Sequence, residues 1–208
     1  MWNGHEVSRV ATQEGFASDP ELVLSFYAER REVLASARPN EGHRAMVQLQ
    51  ARLGPERIVL VTQNVDGLLQ RAAREEGIGL DLIEMHGSIW RERCSVNAFH
   101  PKLTTEFGVR VRPGSCAVCG GQLRPDVVWV GEEPYELDRI QGDVIRSHHF
   151  VAVGTSGAVY PAAGFVTLAK FTGSTCTEIN PEPTSTRFHH VVAQKAETAL
   201  PALLMAWT

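Results

Sequence analysis

The sequence predicts an α/β protein, a mostly parallel sheet with helices on both faces, carrying one small inserted metal module. Apolar, β-branched runs alternate with amphipathic helical stretches along most of the chain, which is the rhythm of successive βα units. Polar residues follow several of those runs directly, as ligand loops do at the carboxyl ends of parallel strands. From Arg91 to Arg124 the rhythm breaks: that stretch holds three cysteines, several Pro and Gly, and no amphipathic helix.

Taken in order, Asp19 to Ala37 places Leu22, Leu24, Phe26 and Val33 among charged residues with Pro20 at a tolerated early position, and predicts a helix. A second helix over Glu41 to Leu53 stops at Gly54-Pro55, and Arg57-Ile58-Val59-Leu60-Val61-Thr62 then predicts a buried strand. Asp66 to Glu76 predicts a helix halted at Gly77 and Gly79, and Asp81 to Met85 a short strand leading to His86-Gly87. After the module come a strand over Asp126 to Val130, a helix over Glu136 to Ser147, and a strand over Phe150 to Val153. A helix after Pro161, a strand over Thr175 to Ile179 and a terminal helix over Pro201 to Trp207 complete the pattern. The main domain is expected to comprise residues 1–90 and 125–208, and the metal-binding insertion residues 91–124.

Composition narrows the function classes. With 208 residues, 43% hydrophobic, the chain can bury a sizeable core. A formal net charge of −4, with Lys and Arg scattered, offers no footprint for nucleic acid. No run approaches the roughly 20 apolar residues of a membrane span, and the N-terminus lacks a secretory pattern. A cytoplasmic protein without nucleic-acid or membrane partners, and a monomer, is expected. In a reducing compartment Cys94, Cys116, Cys119 and Cys176 point to metal or redox chemistry instead of disulfides.

Several short motifs carry candidate chemistry. Gly154-Thr155-Ser156-Gly157 ends an apolar strand where backbone N–H groups can approach a phosphate or ribose, although for an isolated Gly-Thr-Ser an ordinary strand-to-helix turn is the favoured reading. Gln63, Asn64 and Asp66 can orient ribose hydroxyls, a water and a carboxamide; an Asx turn with Asp66 capping the next helix is the competing reading. His86 follows a strand and suits general-base work. Cys94 with Cys116-Ala117-Val118-Cys119 offers three thiolates for tetrahedral zinc. Asn97 stands three residues after Cys94, so the fourth ligand is missing by type; His100 is the substitute, and a metal-free loop the alternative. Cys176 lies in a predicted strand as a small buried apolar residue.

Four blocks stand in the order and approximate spacing of the sirtuins. They are Thr62-Gln63-Asn64-Val65-Asp66-Gly67-Leu68, Met85-His86-Gly87-Ser88, Arg124 to Glu132 (Arg-Pro-Asp-Val-Val-Trp-Val-Gly-Glu) and Gly154-Thr155-Ser156. From Trp2 onward the chain resembles that family. The resemblance implies a Rossmann-like fold, NAD and zinc as cofactors, and acylated lysine in protein substrates as partner. The implied reaction removes the acyl group and releases nicotinamide and O-acyl-ADP-ribose. His86 would be the base that activates a ribose hydroxyl; Gln63, Asn64, Val65 and Asp66 would hold the nicotinamide ribose and carboxamide. Gly154, Thr155, Ser156, Asn180, Pro181, Glu182 and Ala196 would line the adenosine side.

Val127, Val128, Trp129, Val130, Gly131 and Glu132 match the segment that pairs with an extended acyl-lysine peptide. Val130 replaces the aromatic residue usual there. Tyr27 and Arg30, one helical turn apart, resemble the Tyr-x-x-Arg signature of sirtuins that remove succinyl and malonyl groups, since a phenol and a guanidinium can grip a carboxylate. Sirtuins also open with a strand and a Gly-Ala-Gly-Ile-Ser loop. Nothing of that kind precedes Trp2, so the first βα unit is expected to be absent, which would expose a sheet edge and remove pyrophosphate contacts. A truncated, non-catalytic acyl-lysine-binding module and a protein mono-ADP-ribosyltransferase are the competing functions.

Overall fold

Side-chain caps and apolar stripes set the helices of this protein, whose computed structural model describes residues 4–104, 113–157, 160–184 and 187–206. Two short helices, α1 (Val7–Val10) and α2 (Gln13–Ser18), come first, and Thr12 Oγ1 caps α2 by accepting from Gly15 N at 3.0 Å. Helix α3 (Pro20–Ser36) starts where Asp19 accepts from Leu22 N at 3.0 Å and Pro20 occupies the first turn. Helix α4 (Glu41–Leu53) opens on a reciprocal cap between Asn40 and His43 and ends at Gly54, whose φ of +91° suits glycine.

The remaining elements are β1 (Leu60–Thr62), α5 (Leu68–Glu76), β2 (Leu82–Glu84), β3 (Gly87–Cys94), β4 (Leu103–Thr104), β5 (Leu123–Val127) and α6 (Leu137–Arg146). They are followed by β6 (His149–Val153), α7 (Ala162–Phe171), β7 (Thr175–Ile179), β8 (His190–Val192) and α8 (Ala196–Ala206). The chain divides into two compact units. One comprises Met1–Arg38, Val61–Leu68 and Ile83–Tyr135; the other comprises Pro39–Leu60, Leu69–Leu82 and Glu136–Thr208.

In the first unit α1 to α3 close over a core of Val10, Phe16, Val23, Leu24, Phe26, Tyr27, Ile89 and Trp129. Its antiparallel sheet runs β4-β3-β5, with Gly87 opposite Val127 and Cys94 opposite Leu123, and the register slips between Ser88 and Glu92. The second unit carries the parallel sheet β6-β7-β8, where Phe150 pairs with Cys176 and Glu178 with Val191. Ile179 packs there with Ala45, Ala199 and Leu200, while Val47, Leu69, Ala72 and Ala73 form a neighbouring cluster.

The α/β architecture with a parallel sheet matches the sequence expectation, and most helices fall within a residue or two of it. Four details differ. The strand expected over Arg57 to Thr62 is confined to Leu60–Thr62, pairs with β2, and leaves Val59 and Val61 42% and 38% exposed. The strand expected over Asp126 to Val130 is Leu123–Val127 and antiparallel. It ends there because Val128 N donates to His86 O and Trp129 N to the Glu132 carboxylate, which turns the chain. The terminal helix begins at Ala196, since Lys195 O accepts from Thr198 N and Ala199 N, so Pro201 lies inside it; Trp207 falls outside the described residues. Strands β3 and β8 and helices α1 and α2 had no clear signal in the residue pattern, being short or interrupted by charged residues.

Candidate functional site

His86 sits in the tight turn between β2 and β3, and the backbone on both sides of it is held. Met85 N donates to Thr62 O (3.1 Å), Tyr135 N to Met85 O (2.9 Å) and Val128 N to His86 O (2.9 Å). Gly87 takes φ +78°, and a Cβ there would lie 2.0 Å from Asp126 O, so only glycine fits this approach. His86 Nδ1 lies 3.1 Å from Gln63 O. A carbonyl only accepts, so this bond requires Nδ1–H, and the neutral ring then keeps its lone pair on Nε2. Partial burial lowers the His86 pKa, and the Gln63 carbonyl opposes the shift. The imidazole is therefore a neutral base at physiological pH.

The segment after β1 lies against this turn. Asp66 Oδ1 accepts from Leu68 N at 2.9 Å and Asp66 O accepts from Trp90 Nε1 at 2.7 Å, so one carboxylate oxygen serves the Asx cap. Gly67, at φ +75°, packs where a Cβ would be 2.9 Å from the Trp90 ring. Val65 O accepts from Ile89 N. Gln63 is half-buried and Asn64 is exposed, with its backbone N–H on Thr62 Oγ1.

Within the Val127 to Glu132 segment, Val130 is 66% exposed and its N–H bonds Ala11 O at 3.0 Å. Glu132 turns inward. Its Oε1 accepts from Arg124 (2.6 Å), Arg93 (2.9 Å) and Gln13 (2.9 Å), and its Oε2 from Arg124 (2.8 Å) and Trp129 N (2.9 Å). Burial alone would raise that carboxyl; the Arg124 bonds, with help from Trp129 N–H and Gln13, bring it down to about 2. Arg124 also stacks 3.4 Å from the Trp129 ring centroid. The Trp129 indole N–H donates to Tyr27 Oη at 2.9 Å, and burial pushes the Tyr27 phenol up to about 12. Arg30 lies on the same helix as Tyr27, its guanidinium 3.6 Å over the Phe26 ring, and burial lowers its pKa.

The metal candidates converge. Cys94 ends β3, Cys116 and Cys119 lie in the turn closed by the Ser115–Gln122 bridge, and His100 completes the set. All four ligand atoms lie within 4.8 Å of one another, with Cys94 Sγ 3.5 Å from Cys119 Sγ and His100 Nδ1 3.3 Å from Cys116 Sγ. A tetrahedral zinc with bonds of about 2.3 Å needs ligand atoms ~3.7 Å apart, so the Cys3His set fits a closed structural site. The backbone N–H groups of Cys119 and Val118 lower the Cys116 thiol toward the thiolate that zinc requires. Asn97 is not a ligand: its Oδ1 accepts from Phe99 N and its O from His100 N, which shapes the turn that delivers His100. Metal analysis is expected to find about one zinc per chain, with His100→Ala losing it faster to a chelator; metal-free protein of unchanged melting temperature would refute the site. Cys176 is fully buried against Val166 O and Ser174 O, as a small apolar residue should be.

In the second unit the carboxyl ends of β6 and β7 carry the other candidates. Gly154 adopts φ +60° with open space around it, and its N–H bonds Ile179 O at 2.9 Å. Asn180 Nδ2 donates to Thr155 O at 2.9 Å, and Asn180 Oδ1 accepts from Glu182 N at 3.3 Å. Ser156, Pro181 and Glu182 are exposed. Ala196 opens α8, with its backbone about 3 Å from where a Cβ on Gly42 would stand. This loop pair presents open backbone and small polar groups at strand ends, as a nucleotide-binding edge does.

The Sir2 family model matches residues 1–161. A protein named NAD-dependent protein deacylase from Pasteurella multocida is 41% identical over 191 residues, covering 90% of this chain and 78% of the relative. One of the same name from Caulobacter vibrioides is 39% identical over 213 residues, covering 100% and 84%. Among solved structures, a Sir2 homologue mutant bound to ADP-ribose shares 34% identity at a TM-score of 0.87, covering 99% of this chain and 81% of that one. A Sir2 homologue in complex with NAD shares 33% at 0.86, covering 99% and 79%. The family model spans more than half of the chain and these relatives are about 40% identical over most of it: the chain belongs to the Sir2 family.

Proposed function

We propose that this protein is an NAD-dependent protein lysine deacylase acting on acetyl-lysine and on the acidic acyl groups succinyl and malonyl. The observation that carries the reading is His86, whose Nδ1 is committed to Gln63 O and whose Nε2 is left as a neutral base. NAD would supply the anomeric ribose carbon, at which the acyl-lysine oxygen displaces nicotinamide, and the ribose hydroxyl that finally carries the acyl group. Gln63, Asn64, Val65 and Asp66 orient the ribose beside the base, and His86 Nε2 takes the proton from a ribose hydroxyl. Gly154, Thr155, Ser156, Asn180, Pro181, Glu182 and Ala196 bind the adenosine portion. Zinc supplies no reaction step; a closed Cys3His site pins the β3–β5 ribbon from which the peptide-pairing segment continues.

Val127 to Gly131 offers backbone to an extended peptide, and Glu132 anchors the segment from inside through Arg124. Tyr27 serves as a neutral hydrogen-bond donor at physiological pH, because its hydroxyl oxygen already accepts from Trp129 and its pKa stands near 12. Arg30 supplies the positive charge for an acyl carboxylate. Its loss in Arg30→Met is expected to lower kcat/KM for succinyl-peptide about ten-fold more than for acetyl-peptide. Equal losses on both would remove the acidic-acyl reading.

The direct test is nicotinamide release from NAD with acetyl- and succinyl-lysine peptides, with O-acyl-ADP-ribose identified as the second product. Stoichiometric release with deacylation supports the assignment. Labelled protein in place of that product would indicate mono-ADP-ribosyl transfer, and peptide binding without turnover would indicate a binding module.

A further inference from the structure

Glu178 is the least expected side chain of the parallel sheet. It lies on β7, the central strand, and is fully buried. Side chains alternate along a strand, so while Ile179 packs against Ala45, Ala199 and Leu200, Glu178 shares the opposite face with Cys176, whose sulfur lies against Val166 O of α7. A carboxylate inside a sheet is costly unless its oxygens are bonded, and a β-branched apolar residue would fill the position more cheaply. Only one oxygen is used among the described residues. Oε1 accepts from Thr184 N at 3.0 Å and from Thr184 Oγ1, while Oε2 is buried without a partner there.

What the carboxylate holds is a loop beside the nucleotide candidates. Thr184 lies four residues after Asn180. Its Oγ1 lies where a Cβ on Gly157 would be 3.1 Å away, so the two loops are in close approach. Asn180, two residues after Glu178, ties the same pair by donating to Thr155 O. Asn180 therefore ties residues 180–184 to residues 154–157, while Glu178 fastens Thr184 back onto β7 where it approaches Gly157, and the Glu178 bonds are charge-assisted, the stronger kind of hydrogen bond. Both Thr184 donors point at one oxygen, whose two lone pairs accept them.

We propose that Glu178 is a positioning residue for the nucleotide loops, setting NAD affinity through Thr184 without touching the nucleotide. The inference rests on the reading that these loops bind the adenosine side of NAD. Its chemistry is specific: loop placement governs nucleotide binding and leaves acyl-peptide binding unmoved.

The test uses the full chain, with ADP-ribose as calorimetric probe and steady-state kinetics on acetyl-peptide. Thr184→Val is expected to raise the ADP-ribose Kd and the KM for NAD about ten-fold, with peptide KM held within error and the variant still folded by circular dichroism at the assay temperature. Thr184→Ser, which keeps the hydroxyl, should restore both, and Glu178→Gln, which keeps one acceptor oxygen, should fall between. A peptide KM that rises in parallel, or unchanged ADP-ribose affinity in both Thr184→Val and Glu178→Gln, overturns the proposal. Failure of the unsubstituted protein to bind ADP-ribose overturns the nucleotide reading itself, and the two failures are thereby distinguished.

Discussion

The His86→Tyr protein is expected to fold and bind peptide yet remove acyl groups about 10²–10⁴-fold more slowly, the usual contribution of a positioned general base. The turn itself is held by backbone bonds at Met85 and His86 and by the close packing of Gly87 on Asp126 O, none of which needs the imidazole. The unsubstituted enzyme should show an acid limb in kcat/KM with an apparent pKa below the ordinary 6.5 of histidine, since burial disfavours the imidazolium. The sign for stability follows from the same shift. With the folded-state pKa lowered, the unfolded chain takes up this proton first as pH falls, so His86 contributes a loss of stability that grows below about pH 6.5 and vanishes above it. Retention of full turnover by His86→Tyr, or an acid limb lying above 6.5, would remove His86 from the role of base.

Arg124→Met carries the second large effect, on stability. Arg124 is 2% exposed at its side chain, makes two bonds to Glu132, bonds Val127 O and stacks on Trp129. Methionine fills a similar volume but leaves the Glu132 carboxylate, itself 8% exposed, with only Arg93, Gln13 and the Trp129 N–H. Breaking one side of a buried pair costs about 3–5 kcal/mol, which for a chain of this size lowers the melting temperature on the order of 10 °C. The double substitution Arg124→Met with Glu132→Leu should recover part of that loss, because the carboxylate is removed with its main partner and only Arg93, 12% exposed, is left without it. Thermal unfolding of the two variants decides it: a double variant no more stable than Arg124→Met would show that packing on Trp129 and the lost Arg93 contact, not the Arg124–Glu132 pair, carry the contribution.

How far each feature could be read in advance depended on how local its cause is. Helices α3 and α4 were legible from Asp19-Pro20 and from the Gly54-Pro55 stop, because caps and stops act within one turn of the chain. Strand β7 was legible to the residue, since Thr175 to Ile179 is a buried β-branched run between turn residues. Strand β3 was not. Gly87 to Cys94 carries Arg91, Glu92 and Arg93, and such a run becomes a strand only because β5 pairs with it and Asp126 and Glu132 receive its arginines.

The candidate site divides in the same way. Sequence alone determined which chemistry is present: an imidazole after a strand, amides and a carboxylate after another, and three thiolates near His100. Residue identity and spacing along the chain suffice for that. Tertiary structure decided which atoms are available. It assigned the fourth metal position to His100, since Asn97 is consumed in shaping the turn. It turned Glu132 into an internal anchor and placed the Glu178 carboxylate under Thr184. These outcomes depend on partners brought together from 6 to 119 residues apart, such as Glu178 with Thr184 and Glu132 with Gln13. A buried polar group takes whatever donor the fold brings within hydrogen-bond reach, and no local pattern encodes that choice.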